Sequence, residues 1–376
     1  MYRPEVLANV GSEVVETYQR AELYLIRIIR DALMKTGDEP EWAMAQLLAI
    51  RQERYRVDGL IAELQKRSPE LWARTVDEAY VRGVLQAEQE LGQLESIGAF
   101  PAAGAQTAVN NMAVQSIAAE SVTAMTAVHR QILRRTEDIW RAIVKEATGY
   151  SITGAMTTQQ AAQRAFTRMA REGMGFYVDS IGRKWGLDTY AEMATRTATT
   201  RALIAGHTET MVQRGVDLVV VSAHPNPAPV CAPYERKVLS LSGKYSAGTH
   251  RVGDNIVTVE ATLDEAVDNG LLHPNCRHRF SAYVPGFTDL TPPEPDEGNE
   301  GYNATQKQRY LERQIRASKR MEAAAVNDEA LAKARQRKHA YQAKLRDHIA
   351  EHDLPRRRHR EQLKFPGGRV AADYTP

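Results

Sequence analysis

Apolar residues recur with helical spacing through most of the first half of the chain. Between residues 13 and 34 they fall three or four positions apart, and further apolar residues broaden that face, which is typical of a helix that packs on more than one side. A Gly/Pro break follows, and Pro40 suits the first position of the next helix. The helices predicted in this way cover residues 13–34, 40–65, 70–92 and 157–172.

Residues 106–148 have a different composition. They are rich in Ala, Thr and Gln and contain neither Pro nor Gly, and a Gly/Pro/Ala connector at 96–105 precedes them. Nothing in this stretch forces a helix to end. The sequence therefore predicts one long helix or two, without a choice between them.

After Gly173 the pattern of apolar residues changes from one typical of helices to one typical of short strands. Aromatic and β-branched residues around Gly182 predict two short strands joined by a turn. A strong helix follows and ends at Gly215. Asp188 or Thr189 can cap its start, and Thr189 with Glu192 fits a capping box. The apolar run 218–221 predicts a buried strand, and further strands are expected at 237–241, 256–260 and 279–284.

The last part of the chain reads as a linker followed by helix. Residues 289–303 are acidic and rich in Pro and Gly, which predicts an exposed connector. The residues beyond it favour helix, with a break at Asn327 and Asp328. Tyr310, Ile315 and Met321 are too widely spaced to predict a core-facing stripe.

The predicted fold class is α+β, with a mainly helical N-terminal half, a small α+β domain of short antiparallel strands, and a long basic helical C-terminal region. The expected divisions are a helical domain (1–95), a linker (96–105), a long-helix region (106–173), the α+β domain (174–288), the acidic linker (289–303) and the basic helical tail (304–376).

Composition is ordinary, but charge is unevenly distributed. The net charge is only +2, yet residues 302–364 hold 17 lysines and arginines against eight acids. This asymmetry indicates either an anionic partner or a solvated Lys/Arg-rich helix. The N-terminus lacks the apolar core of a signal peptide, and the longest aliphatic run is Leu218–Val221. We therefore expect a soluble, non-secreted protein with no membrane span.

The segment "LLHPNCRHRF" (271–280) concentrates candidate metal ligands. The chain has two cysteines, Cys231 and Cys276, which are too few for a disulfide scaffold. His273 and His278 flank Cys276, so these four residues supply the Cys and His ligands that Zn²⁺ favours. The spacing matches no recognised short zinc finger, and the loop between the two cysteines is long.

The same segment has a structural interpretation. Pro274 fixes its backbone φ and Asn275 favours an Asx turn, which predicts a tight turn with Cys276 as a small buried residue. A Cys–His nucleophile is also conceivable, but no oxyanion loop or orienting acid accompanies the cysteine. Residue types and spacing leave the zinc site and the structural turn both open.

The segment "LPRRRHREQLKF" (354–365) is the strongest candidate for contact with nucleic acid. Its positive charge suits phosphate binding, but no aromatic residues for base stacking are interleaved with it. Any contact should therefore be made to the DNA backbone. The candidate residues are Arg356, Arg357, Arg358, Arg360 and Lys364.

An ordered series of motifs resembles the phage minor capsid protein 2 family, which is related to the Mu-type head morphogenesis proteins. The motifs span about 174–363 and include "GRKWGLDTYAEMATRTATTRA", "PVCAPYERK" and "LLHPNCRHRF". The family hallmarks match Trp185, Leu187, Tyr190, His273, Pro274, Asn275, Cys276 and Arg277. The chain departs from the family pattern at Tyr234-Glu235-Arg236, where an aromatic residue followed by Gln or Gly is common.

The resemblance implies a structural, non-enzymatic virion component with no assigned catalytic residue. It implies a place in the capsid interior or at the portal vertex, a role in head assembly and in DNA packaging or delivery, and a cytoplasmic stage in the bacterial host. The expected partners are the portal protein, the major capsid protein and packaged double-stranded DNA. No cofactor is expected other than a possible structural zinc.

Two other functions stay open on the sequence. One is a zinc-dependent hydrolase or nuclease centred on Cys231, His273, Cys276 and His278. The other is a DNA-binding protein that acts outside any virion.

Overall fold

The computed structural model describes residues 10–34, 41–98, 110–224, 226–273, 276–293 and 297–363, except for the side chains of Leu47 and Glu297. Pro40, most of the predicted linker 96–105, Pro274, Asn275 and Lys364 lie outside the described residues.

The helices are α1 (Ser12–Met34), α2 (Trp42–Ser96), α3 (Asn111–Ile152), α4 (Thr158–Glu172), α5 (Leu187–Gln213), α6 (Leu263–Asp268), α7 (Glu300–Ala323) and α8 (Asp328–Glu351). The strands are β1 (Tyr177–Val178), β2 (Lys184–Trp185), β3 (Leu218–Val221), β4 (Val238–Ser240), β5 (Gly248–Val252), β6 (Asn255–Thr262) and β7 (Phe280–Ala282). The α+β fold class is confirmed.

The N-terminal helices are longer than the sequence indicated. The two helices predicted for 40–65 and 70–92 form one helix, α2, with Pro69 inside it, so the predicted break is wrong. A proline in a helix interior costs about 3 kcal/mol. Leu64 and Trp72 on either side of it are buried, and burial of such side chains stabilises by roughly 1.5–3 kcal/mol each. Residues 111–148 belong to one helix, α3. None of the described helices is long and apolar enough to cross a membrane.

The chain divides into two compact units, each built from three separate segments. The first unit comprises Met1–Ser12, Leu71–Ser121 and Met193–Thr305, and the second comprises Glu13–Glu70, Val122–Glu192 and Gln306–Pro376. The linear division predicted from the sequence stays a prediction.

The first unit contains a five-stranded sheet in the order β5-β6-β4-β3-β7. All described pairs in it are antiparallel except β4 with β6, which run parallel. The sequence indicated neither this parallel pair nor β5, whose residues are largely exposed. Strand β3, which lies between β4 and β7, is buried along its whole length, as its aliphatic run predicted. Val219 and Val221 pack into one core cluster and Leu218 into another, because side chains alternate across a strand.

Two glycines in this unit allow α2 and α5 to approach closely. A Cβ atom on Gly83 would lie 2.1 Å from the carbonyl oxygen of Leu203, and one on Gly206 would lie 2.2 Å from that of Tyr80. Each helix thus packs its glycine against the backbone of the other. Any larger residue at either position would push the helices apart.

In the second unit the C-terminal helices form their own core. Asn327 caps α8, as the predicted break required, with its side chain accepting from the Ala330 amide. Leu311, Ile315 and Leu345 are buried together between α7 and α8. The spacing of Tyr310, Ile315 and Met321 predicted no core-facing stripe, yet Ile315 lies in this core, because a hairpin of two helices needs only a narrow apolar seam.

The start of α5 also differs from the prediction. The helix begins at Leu187, so Thr189 and Glu192 do not form a capping box at its first turn. The carboxylate of Asp188 instead accepts from the amide and hydroxyl of Thr189. The β1–β2 hairpin that precedes the helix is confirmed.

Candidate functional site

The two cysteines lie on turns that leave the central sheet. Cys231 follows β3 and closes a turn by donating its amide to the Ala228 carbonyl at 2.8 Å. Cys276 precedes β7, and its amide donates to the His273 carbonyl at 2.8 Å. Since β3 and β7 are neighbours in the sheet, these turns emerge side by side. The fold therefore brings together residues that are 45 positions apart in the chain.

The sulfur atoms of Cys231 and Cys276 lie 3.8 Å apart. Both thiols are free, and the residues are 0% and 5% exposed, respectively. A ligand atom of His273 joins them, so that the three potential ligand atoms all lie within 4.8 Å of one another. The sequence named these three residues and His278 as candidate zinc ligands, and the structure leaves His278 outside the group of three. We call the four residues together the Cys–His cluster.

His278 approaches the cluster from the side of Cys276. Its Nδ1 atom lies 3.3 Å from Cys276 Sγ, and its Nε2 atom lies 2.8 Å from Glu235 Oε1. The same Glu235 oxygen accepts from the His224 amide at 2.7 Å. Glu235 and His278 are both buried, so the carboxylate fixes the orientation of the imidazole.

Sequence reasoning missed Glu235. The only signal was its position in the Tyr234–Arg236 stretch, where the chain departs from the family pattern. A glutamate buried in a turn cannot be distinguished from an exposed one by periodicity. Its partner lies 43 residues away, and only the fold brings the two together.

The cluster perturbs the protonation of its members. The hydrogen bond from Cys231, followed by the contact with His278, holds the pKa of the Cys276 thiol far below its usual range, at about 3. The same Cys231–Cys276 contact and burial raise the pKa of the Cys231 thiol. Burial lowers the pKa of His278, but its contacts with Cys276 and Glu235 outweigh burial and raise that pKa to about 9. These contacts thus shift the pKa of Cys276 and that of His278 in opposite directions.

This arrangement can hold a cation but is poorly placed for nucleophilic catalysis. A catalytic thiolate must reach a substrate, and reactive cysteines are partially exposed. Here both sulfurs belong to a core cluster with Val221, Leu239 and Phe280. The turn residues Pro274 and Asn275, predicted to shape this segment, lie outside the described residues.

The other hallmark residues lie in the second unit, near the start of α5. Trp185 donates from Nε1 to Asp179 at 3.0 Å and packs edge-on against Tyr190, with ring centroids 5.8 Å apart. Leu187 is fully buried. Arg277 belongs instead to the first unit, where its Nη1 atom lies 3.3 Å from His224 Nε2. These residues hold local structure, and none of them is a member of the Cys–His cluster.

The predicted DNA-binding arginines are not equally accessible. Arg356 donates from Nε and Nη2 to the two Glu361 oxygens, each at 2.8 Å. Arg360 lies 4.0 Å from Glu312, and Arg357 is half-buried. Arg358 is exposed. Sequence reasoning missed two further exposed arginines, Arg335 and Arg346 on α8.

Comparison with known proteins bears on the whole chain. The family model described as phage minor capsid protein 2 matches residues 2–350. A curated structural protein of Lactococcus phage LL-H is 25% identical over 341 residues, covering 85% of this chain and 88% of that protein. No solved structure matches the chain. Since the family model covers nearly the whole sequence, this chain belongs to the phage minor capsid protein 2 family.

Proposed function

We propose that this phage structural protein is a non-enzymatic minor capsid component. It docks on the portal or major capsid protein and neutralises part of the phosphate charge of packaged DNA. The observation that carries the DNA contact is the excess of nine positive charges in residues 302–364. Some of these charges are neutralised within the fold, and others are exposed where a phosphate could reach them.

Part of the positive charge is neutralised internally. Arg316 and Arg320 are buried and pair with Asp188, and Arg356 pairs with Glu361. These side chains stabilise the second unit rather than bind a phosphate. The sequence-level charge therefore overstates the charge that DNA would meet.

The arginines best placed for phosphate contact are Arg335, Arg346 and Arg358. All three are exposed, and among the described residues none of them has an ion pair. Arg335 and Arg346 are 11 positions apart on α8, so they lie on one helix face about 16 Å apart. Such a row of point charges suits a duplex backbone without reading its sequence.

A salt titration tests the DNA contact. Replacing Arg335, Arg346 and Arg358 together with Gln should weaken binding to a random-sequence duplex. It should also reduce the slope of log K against log salt by about 0.9 for each phosphate that the variant no longer neutralises. The control replaces three other exposed cations, Arg51, Lys66 and Arg130, with Gln and should keep the slope. Equal slopes for the two triple variants would contradict the proposal.

Docking on a virion protein is supported by an apolar stripe on α2. Met44, Leu48 and Tyr55 are exposed, with Tyr55 at 77%, and their spacing places them on one helix face. Exposed apolar side chains grouped in this way mark protein contact surfaces more often than single ones do. We infer that this stripe meets the portal or the major capsid protein.

Co-purification tests that contact. The double change Met44→Glu and Leu48→Glu should abolish recovery of the chain with its own phage's portal or prohead after co-expression. The control, Ile181→Glu, places a charge at an equally exposed apolar residue in a turn. If the double variant is recovered as well as the wild type, the stripe is not part of the interface. If the wild-type chain is absent from particles, the capsid role itself is contradicted.

The non-enzymatic role is supported by the burial of the Cys–His cluster. A zinc hydrolase needs an open coordination position that substrate and water can reach. Cys231 and Cys276 lie in the core, and His278 is 2% exposed. The proposal predicts that Cys276→Ser changes stability without any loss of hydrolysis, because none is present in the wild type.

A further inference from the structure

We propose that the Cys–His cluster binds a structural zinc ion, with Cys231, His273 and Cys276 as ligands and His278 as the neighbour that supports Cys276. The ion would fasten the turn after β3 to the turn before β7. This inference does not depend on the proposed capsid role.

The separation of the two sulfurs carries the proposal. A Zn–S bond of about 2.3 Å and a tetrahedral angle place two thiolate sulfurs about 3.8 Å apart. The observed Cys231–Cys276 distance is 3.8 Å. A disulfide requires about 2.05 Å, so the two side chains are held at the spacing of zinc ligands and not of a bond.

His273 supplies the nitrogen ligand of the group. With a Zn–N bond of about 2.0 Å, a sulfur and a nitrogen bound to one zinc lie about 3.5 Å apart. His278 Nδ1 is 3.3 Å from Cys276 Sγ but lies outside the group of three ligand atoms, so it contacts one sulfur and is not counted as a ligand. The ligand atom of His273 lies within 4.8 Å of both sulfurs.

The backbone prepares both sulfurs to carry negative charge. The His278 amide lies 3.4 Å from Cys276 Sγ and donates to it. The Leu272 amide donates to the Cys231 sulfur, and Leu272 has a positive φ of 61°, which an ordinary residue adopts only where the surroundings require it. Amide donors of this kind stabilise thiolates, which are the form that binds zinc.

Glu235 supports the histidine that contacts the Cys276 sulfur. Its Oε1 atom lies 2.8 Å from His278 Nε2, which leaves Nδ1 directed to the cluster. A carboxylate on the far nitrogen fixes the orientation of the imidazole against the Cys276 sulfur. The site is closed by core residues, so it fits the structural class of zinc sites rather than the catalytic one.

Metal analysis of the full-length protein tests the proposal. We expect one zinc per chain when the protein is expressed with zinc and purified without chelator. Replacement by Co²⁺ should give the optical absorption of a tetrahedral site with sulfur ligands. Cys231→Ser and Cys276→Ser should each remove the zinc, and Glu235→Gln should lower zinc affinity on the order of 10-fold, since it removes a supporting charge and no ligand.

The chain offers a matched control. His348, Glu351 and His352 form another group of possible ligands on α8, two of them exposed. His352→Ala should leave the zinc content at one. If zinc is absent from His352→Ala and kept in the cysteine variants, the proposal is wrong.

Two results on the wild-type chain alone would also overturn it. One is a zinc-free protein whose Co²⁺ form lacks sulfur-to-metal absorption. The other is a Cys231–Cys276 disulfide found by mass spectrometry of the freshly purified chain. Because both are measured without a substitution, a cysteine variant that fails to fold leaves the test intact.

Discussion

The buried carboxylate of Asp188 lies 3.1 Å from the Nη1 atom of Arg320. Arg316 approaches the same carboxylate oxygen at 3.5 Å, and Glu22 accepts from the Asp188 amide at 2.9 Å. All four side chains are buried, and they come from α1, the start of α5 and α7. This cluster therefore ties three distant segments of the second unit together, directly after the Trp185 and Leu187 hallmark positions.

Removing the charge of Asp188 should destabilise the protein severely. Asp188→Asn leaves Arg316 and Arg320 without their shared buried partner, which typically costs about 3–5 kcal/mol. Urea unfolding followed by circular dichroism measures the effect. The control is Glu329→Gln, which neutralises a carboxylate in an ion pair whose side chains are 76% and 71% exposed and should cost less than about 0.5 kcal/mol. Similar destabilisation of the two variants would contradict the role assigned to the cluster.

Glu22 should make stability fall as pH rises. Burial, and then the neighbouring Asp188, raise the pKa of Glu22 from 4.5 to about 8. Between these values the folded chain holds a proton that the unfolded chain releases, so the free energy of unfolding decreases with pH across that window. Glu22→Gln imitates the protonated acid, so its free energy of unfolding relative to that of the wild type should rise steadily from pH 4.5 to 8. A constant difference between the two proteins over this range would contradict the assignment.

His129 should make stability fall as pH decreases, which is the opposite of the effect of Glu22. Burial lowers its pKa from 6.5 to about 4, and its Nε2 atom lies 2.8 Å from the Tyr18 hydroxyl. As pH falls below 6.5 the unfolded chain takes up a proton first, so stability decreases until about pH 4 is reached. Replacing His129 with Gln should flatten this part of the stability curve. The check is urea unfolding at several pH values, and parallel curves for the two proteins would show that His129 is not responsible.

The glycine contact between α2 and α5 should be intolerant of a single methyl group. Gly83→Ala and Gly206→Ala each place a Cβ within 2.2 Å of a backbone carbonyl oxygen in the other helix, and we expect each to destabilise the protein by about 1–3 kcal/mol or more. Gly92 lies in the same helix, α2, with nothing within 4 Å of an added Cβ. Gly92→Ala should therefore stabilise the protein by about 0.5–1 kcal/mol. Thermal unfolding of the three variants distinguishes close packing from helix propensity, and equal shifts would contradict the contact.

Periodicity and turn residues were sufficient for the local elements. The helical first half, the β1–β2 hairpin, the buried strand β3 and the Asn327 break were all predicted from spacing and capping residues, because these depend on interactions between near neighbours. The same reasoning failed at Pro69 and Ile315. In both cases burial against distant residues outweighs the local preference.

The sequence by itself determined the candidate metal ligands and the family, since both rest on residue types in a fixed order. Only the tertiary structure decided that Cys231 and Cys276 meet at 3.8 Å and that Glu235 orients His278. It also decided which arginines are exposed and which are neutralised, such as Arg320 against Asp188. Periodicity reflects interactions between near neighbours and so predicts local elements. The distance between two buried residues that are far apart in the chain depends on how strands and helices pack, and residue spacing does not encode it.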